Sequence, residues 1–503
     1  MGVPTGHAFP TVRLRVSWLW GGLTAFLGVC QLCLWRFLGT MPGWTYMLGL
    51  AAVLLIAAAT IRIIDRAEPA EDERADPMLG TFMLCLLFAL ALLVLGGEGR
   101  VFYSNVDWQV RYALLRDMAL HPWPFVYTGR GTEELLRAPL GMFFLPALGW
   151  KIAGPRAADL LLLAQNALFL AALLTLGSRL CETLRQRALT LGVITLFSGF
   201  DIVGRLLTGP LTDHLENWGP TQFSSTVTLA FWVPHHALPG WMGAVGFLLW
   251  QRGRLPLAAL LAPSPLMALW SPLALLGLLP FAAYAGLCEL ARRRLSWPVF
   301  AVPAVSALLA LPSLVYLGAA GDAVGLRFYP IEPHRYWLFQ LAETLPWLVP
   351  LYMVARKRGE SRALLLLIAL LLLYAPWIQI GQGMDFSMRT TIPALAILAF
   401  MVAERLSAGA GRPWSLVLIG ALMLGAVTPA TEFARALMHP PAPMVRCSLL
   451  EVWPQSFSHL SMHTYLAPLD RMPPLVRPTD PALVPAQPAG SCWDGQWYHP
   501  SGV

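Results

Sequence analysis

The feature that most constrains this chain is a succession of apolar runs, each close to the length that crosses a bilayer. A hydrocarbon core about 30 Å thick needs about 20 apolar residues of helix. Lipid offers the backbone no hydrogen-bond partner, so such runs close on themselves as helices. About thirteen runs qualify: 16–38, 44–62, 79–96, 157–178, 188–208, 237–251, 255–270, 272–291, 298–318, 343–356, 363–380, 390–406 and 414–430. Of the 503 residues, 57% are hydrophobic and only 13% are charged, where a soluble domain carries about a quarter charged. The expected fold is therefore an all-α polytopic membrane protein. The first run follows Arg13 and Arg15 and is too long for the apolar part of a cleaved leader, so it reads as a span.

Loop charges orient the spans. Basic clusters stand at Arg13/Arg15, Arg62/Arg66/Arg74, Arg179/Arg185/Arg187, Arg252/Arg254, Arg292–Arg294, Arg356/Lys357/Arg358/Arg362 and Arg405/Arg412. All seven face the cytoplasm if residues 137–153 do not cross. That stretch then becomes an interfacial or re-entrant helix within one long outer loop, 97–156. The N-terminus lies inside and the C-terminus outside. Residues 1–430 form the transmembrane domain, and 431–503 a proline-rich outer tail that reads as extended or loosely ordered. The net charge of +7 is spent on these short loops, which excludes a nucleic-acid footprint.

Five of the seven cysteines (Cys30, Cys33, Cys85, Cys181 and Cys288) belong to or border apolar runs and read as packing residues. Cys447 and Cys492 share the outer tail, where they stand as a disulfide or as two free thiols. No zinc spacing, phosphate loop, dinucleotide fingerprint or serine-hydrolase elbow occurs.

This topology gathers the unusual polar segments on one side. The first outer loop carries Asn105-Val-Asp107-Trp108, with Asn105 or Ser104 as the cap of an amphipathic surface helix and Asp117 as a surface acid beside an arginine. The fifth span ends in Phe197-Ser-Gly-Phe-Asp201. The next loop holds Glu216, Trp218 and Trp232-Val-Pro-His235-His236-Ala-Leu-Pro-Gly-Trp241. Later loops hold His334 and Arg335, then Met384-Asp385-Phe-Ser-Met-Arg389.

A long first outer loop with amphipathic helices, an acid shortly after a span and one-sided polar density resembles the GT-C superfamily of membrane glycosyltransferases. The quoted motifs look like those of a bacterial membrane family of this architecture. The likeness runs from the third span to the last. It implies transfer of a sugar from a polyprenyl-phosphate donor to an envelope glycan or lipid-linked acceptor, at the outer face of a bacterial cytoplasmic membrane. The superfamily's contiguous acidic DxD-type pattern is absent.

Such a transfer needs a base for the acceptor hydroxyl, cationic groups or a metal for the departing phosphate, and an apolar groove for the isoprenoid. The resemblance makes Asp107 the candidate base, against a plain helix-capping acid. Asp201 is a second catalytic candidate, against an interfacial acid paired with Arg205. Arg389 is placed for the donor phosphate at a span end, against a pair with Asp385, and Arg335 and His334 are alternates. Glu216, His235, His236 and Asp385 are expected at the substrate. The first three are also set as ligands of a divalent cation (Mg or Mn) with Asp107 or Asp201, against buried hydrogen-bonding residues. Trp218 and Trp232 are set to stack on sugar, against an aromatic belt. A transporter or flippase, or a non-catalytic envelope-assembly protein, would share the architecture. Spans almost free of mid-membrane charge favour an enzyme.

Overall fold

The computed structural model describes residues 12–67, 77–355, 359–409, 413–458, 460–487, 490–495 and 497. Arg74, Arg356, Lys357, Arg358, Arg412 and Pro488 lie outside the described residues. Of the described residues 69% are helical. Among the described residues seven helices are long and apolar enough to cross a membrane: Val16–Leu38, Gly43–Ala67, Pro155–Leu180, Leu184–Thr208, Pro272–Ala291, Pro298–Gly318 and Pro413–Met438. Pro333–Glu343 and Leu345–Ala355, bent by 59°, make an eighth if taken as one span. By length and composition this is a membrane protein.

Thirteen spans were expected, and seven or eight helices meet the length and apolarity that a span requires. Each remaining run is helical but short or broken, except 237–251, which belongs to the continuous 18-residue helix Pro234–Gln251 and falls short in apolarity. Leu79–Leu95 has 17 residues and Ile392–Ser407 has 16. The run 255–270 splits into Leu257–Leu261 and Ser264–Met267. Pro263 and Pro265 stand at that break; a proline ring has no N–H to give and clashes with the preceding turn.

The second helix shows how the spans meet their surroundings. Gly43–Ala67 leaves Met47, Leu48, Leu54 and Leu55 exposed, a row that hydrocarbon covers and water would not. Its other side lies on Val16–Leu38, where a Cβ at Gly28 would fall 2.9 Å from Val53 Cγ2. Only a residue without a side chain lets the two backbones approach this closely.

The segment between the third apolar helix and Pro155 departs from expectation in one respect. The helix Val106–Leu120 forms, capped by Asn105, whose side chain accepts from Asp107 N at 3.1 Å. It does not present an exposed polar face: Trp108, Arg111, Leu114, Leu115, Asp117 and Met118 are all buried. The helices Phe144–Ala153 and Leu449–Ser456 pack against it and cover the face assigned to solvent. Asp117 is thus a fully buried acid, not a surface one. Phe144–Ala153 has 10 residues, about 15 Å of helix, which is half a bilayer and suits a segment that does not cross.

The tail is the larger correction. Strands β1 (Phe125–Tyr127), β2 (Glu134–Leu136), β5 (Leu466–Pro468) and β6 (Ala482–Val484) form one sheet in the order β5-β2-β1-β6. β1 pairs antiparallel with β2 (Val126 opposite Leu135) and parallel with β6 (Val126 opposite Leu483). A second pair, β3 (Leu326–Phe328) and β4 (Ile378–Ile380), is antiparallel. Pro468 ends β5, an edge strand, where a missing N–H leaves no broken ladder; Pro473, Pro474, Pro478, Pro481 and Pro485 stand outside the strands. Cys447 and Cys492 are disulfide-bonded across 45 residues, which settles the alternative left open by sequence. The tail therefore folds back on the first long loop.

Candidate functional site

Four separate parts of the chain meet around one cavity of about 510 Å³. The loop helix Val106–Leu120 brings Asp107 and Arg111. The segment 214–232 brings His214, Thr228 and Trp232. The helix Asp385–Thr390 brings Asp385 and Arg389, and the tail brings Trp453, Phe457 and Tyr465.

Asp107 stands in the first helical turn, where unpaired backbone N–H groups favour negative charge. Its Oδ2 accepts from Arg111 Nη2 at 2.6 Å. Arg111 is buried and also donates through Nη1 to the carbonyl of Trp232. Asn105 Nδ2 and Trp108 Nε1 both donate to the carbonyl of Phe231, at 2.9 and 2.8 Å. The helix start is thus tied to the C-terminal end of the helix Thr226–Trp232. Gly97 sets the entry into this segment with φ +94°, a left-handed conformation open to glycine. Its carbonyl accepts from Tyr112 Oη at 3.1 Å.

On the facing wall Arg389 Nη2 lies 2.8 Å from Asp385 Oδ1, and both side chains remain partly exposed to the cavity. The tail closes that side. Ser461 N donates to Gln382 Oε1 at 2.8 Å, and Trp453 packs edge-on against both Phe457 and Tyr465. The cavity therefore holds two arginine–carboxylate pairs and an aromatic rim.

Trp232 is half-buried at the cavity, with His214 tilted over its ring at 4.5 Å between centroids. Trp232 Nε1 donates to Glu432 Oε2 at 3.0 Å, and Arg435 pairs with the same carboxylate. Sequence reasoning missed His214, Glu432, Arg111 and the tail aromatics. Arg111 at i+4 from Asp107 was the one legible signal.

The other expected residues lie elsewhere. Asp201 is buried, accepting from Ser198 Oγ and Thr428 Oγ1 (both 2.8 Å) and from Trp218 Nε1 (3.1 Å). Arg205 does not pair with it; it donates instead to Asn217 O and Thr212 Oγ1. Glu216 is buried and accepts from Ser225 N, Thr228 Oγ1 and Gln222 Nε2. Burial pushes its carboxyl up to about 7, and the charge of Asp201 adds to the rise. Glu343 joins the same buried group, its carboxylate lying directly against Gly199. Trp218 is covered by Phe339 and Gly204 and does not line this cavity.

His235 and His236 are buried in the helix Pro234–Gln251, their rings 3.9 Å apart, with His236 Nδ1 2.8 Å from Ser271 Oγ. His334 and Arg335 are exposed in the first turn of Pro333–Glu343, His334 beside Glu332 at 3.6 Å, and neither lines the cavity. Among the described residues no three or more His, Cys, Asp or Glu side chains are grouped to hold a metal ion. The acids and histidines expected as ligands are thus not gathered around one point.

A second cavity, about 340 Å³ and almost wholly apolar, is lined by Leu84, Phe88, Leu92, Leu170, Leu191 and Phe400 among others. The helix Thr226–Trp232 stands between the two: Thr228 and Trp232 face the first, Thr226 and Val227 the second. No protein-family model matches the chain, and neither the curated proteins nor the solved structures hold a match to it.

Proposed function

We propose that this chain is a membrane glycosyltransferase of GT-C type, moving a sugar from a polyprenyl-phosphate donor to an envelope glycan or lipid-linked acceptor. In this reading the cavity opens at the outer face of a bacterial cytoplasmic membrane, with the N-terminus inside. The observation that carries the reading is the pairing of two cavities across one short helix. One holds two arginines, two carboxylates and aromatic rings, and the other is a greasy recess in the helix bundle. A polyprenyl-phosphate sugar has the same division, with an anionic and sugar-bearing head on an apolar chain.

Arg389 and Arg111 supply fixed positive charge for the leaving phosphate. Asp107, held in place by Arg111 and open to the cavity, meets the acceptor hydroxyl. Trp232 and the tail aromatics offer apolar faces to sugar rings. Asp201, Glu216, His235 and His236 act through packing and hydrogen bonding behind the wall. Asp201 is thereby moved from a catalytic to a structural assignment.

The test follows label from polyprenyl-phosphate-linked hexoses and pentoses into glycan, in membranes carrying the wild-type chain or Asp107→Asn. Incorporation by wild type that drops by about 100-fold or more in the variant is expected for a group acting at the reacting hydroxyl. Equal incorporation by both removes Asp107 from that place.

A further inference from the structure

His214 comes from a loop, yet the structure fixes it as firmly as a helical residue. Thr212 Oγ1 donates to its carbonyl at 2.9 Å, and Arg205 Nη2 holds that hydroxyl at 2.8 Å. Its ring rests on Trp232. Its Nδ1 lies 3.2 Å from Glu432 Oε1. Glu432 is itself buried and held by Trp232 Nε1 and Arg435. A carboxylate only accepts hydrogen bonds, so Nδ1 carries the proton and the neutral ring keeps its lone pair on Nε2. His214 makes no other side-chain hydrogen bond among the described residues, and Nε2 is not sealed from the cavity that the residue lines.

A buried carboxylate behind an imidazole whose second nitrogen stays accessible fixes the tautomer and stabilises the imidazolium that forms. Asp107, by contrast, already commits one oxygen to Arg111. Resting on the transferase reading above, we propose that His214, oriented by Glu432, takes the proton of the acceptor hydroxyl while Asp107 aligns that hydroxyl. In the step the acceptor O–H bond breaks and its proton moves to His214 Nε2. The oxygen forms a bond to the sugar's anomeric carbon. The bond from that carbon to the phosphate oxygen breaks, and its electron pair leaves with the polyprenyl phosphate. No oxidant or further reactant is needed, and the imidazolium returns its proton to solvent. Glu432 is a positioning residue.

The groups that bear on the ring are Glu432 and Arg435 from the helix Val427–Met438, Asp213 and Glu216 from its own loop, and the Asp107–Arg111 pair across the cavity. The test uses the full-length chain in membranes with the labelled donors. His214→Gly is expected to lose about 100-fold or more in turnover and to regain part of it with added imidazole. The regain should grow as pH rises and the added imidazole becomes neutral, while Asp107→Asn gains nothing. Glu432→Gln should lower kcat with KM unchanged and alter the acid limb of the pH profile. Turnover by His214→Gly within about threefold of wild type overturns the proposal. So does a loss that imidazole fails to restore, which makes the residue structural.

If wild type turns over no donor, the transferase reading fails, and the dyad is judged alone by carbethoxylation mapped on the intact chain. His214 reacting among the fastest histidines, and more slowly in Glu432→Gln, supports a poised Nε2. An unreactive His214 overturns it.

Discussion

Asp117 joins three parts of the fold, and its removal should be read differently at different pH. Its Oδ2 accepts from Leu449 N at 2.7 Å, at the start of the tail helix, and from Tyr127 Oη at 2.8 Å in β1, while Arg116 lies 3.3 Å from Oδ1. Asp117→Ala leaves two buried donors without a partner, at about 1–3 kcal/mol each and so roughly 2–6 kcal/mol together. Set against this is the cost of the charge. Burial pushes the carboxyl from 3.8 up to about 7, against the pull of Leu449, Tyr127 and Arg116.

The folded state therefore keeps a proton that the unfolded state releases near pH 4. The stability tied to this group is full below pH 4 and is lost as pH rises through 7. At about 1.4 kcal/mol per unit the wild type gives up as much as ~4 kcal/mol there. The cost of Asp117→Ala is thus largest at acid pH and shrinks towards neutrality. Hydrogen exchange of the backbone over 449–456, corrected for intrinsic rates, measures it. At pH 5 the variant should exchange at least ~30-fold faster, the factor that ~2 kcal/mol implies, and the gap should narrow by pH 8. Unchanged protection at pH 5, or a gap that widens with pH, would refute the reasoning.

Arg389→Ala should raise the donor KM by about 10- to 100-fold, the value of a charge-assisted hydrogen bond to phosphate, and Arg389→Lys should recover only part of it because the forked geometry is lost. Initial rates over a donor titration decide the matter, and an unchanged KM removes Arg389 from the phosphate. Replacing both Cys447 and Cys492 by serine releases a 45-residue loop, worth about 4 kcal/mol in chain entropy. Residues 449–487 should then become the first site of proteolysis, and a digestion pattern like that of wild type would contradict this.

The helices were legible because an apolar run in lipid has one backbone solution, and every run marked in the sequence is helical over at least part of its length. Their spanning was less legible, since proline and chain length decide whether a helix crosses. Asp107, Trp232, Asp385 and Arg389 were found together because each sits in a polar segment beside an apolar run, and such ends gather at one cavity. Asp201, Glu216, Trp218, His235 and His236 also sit in such segments, but they are buried and do not line that cavity. Polar residues beside spans are as readily buried with partners as presented to a substrate. His214 and Glu432 stand 218 positions apart, a pairing that no local pattern announces. The tail misled by composition, because prolines that read as loose chain stand in the turns and connections between short strands.

The return of the tail to β1 also sets an order of assembly. Trp453, Phe457 and Tyr465 are synthesised after every apolar helix, yet they form part of the wall around Asp107 and Arg389. A chain halted after Met438 would hold all the candidate spans and an open basin where the finished protein has a chamber. Insertion into the bilayer and completion of the cavity are thus separate events in the birth of the molecule. The second waits on residues that reach their place by pairing with a loop made more than 300 residues earlier.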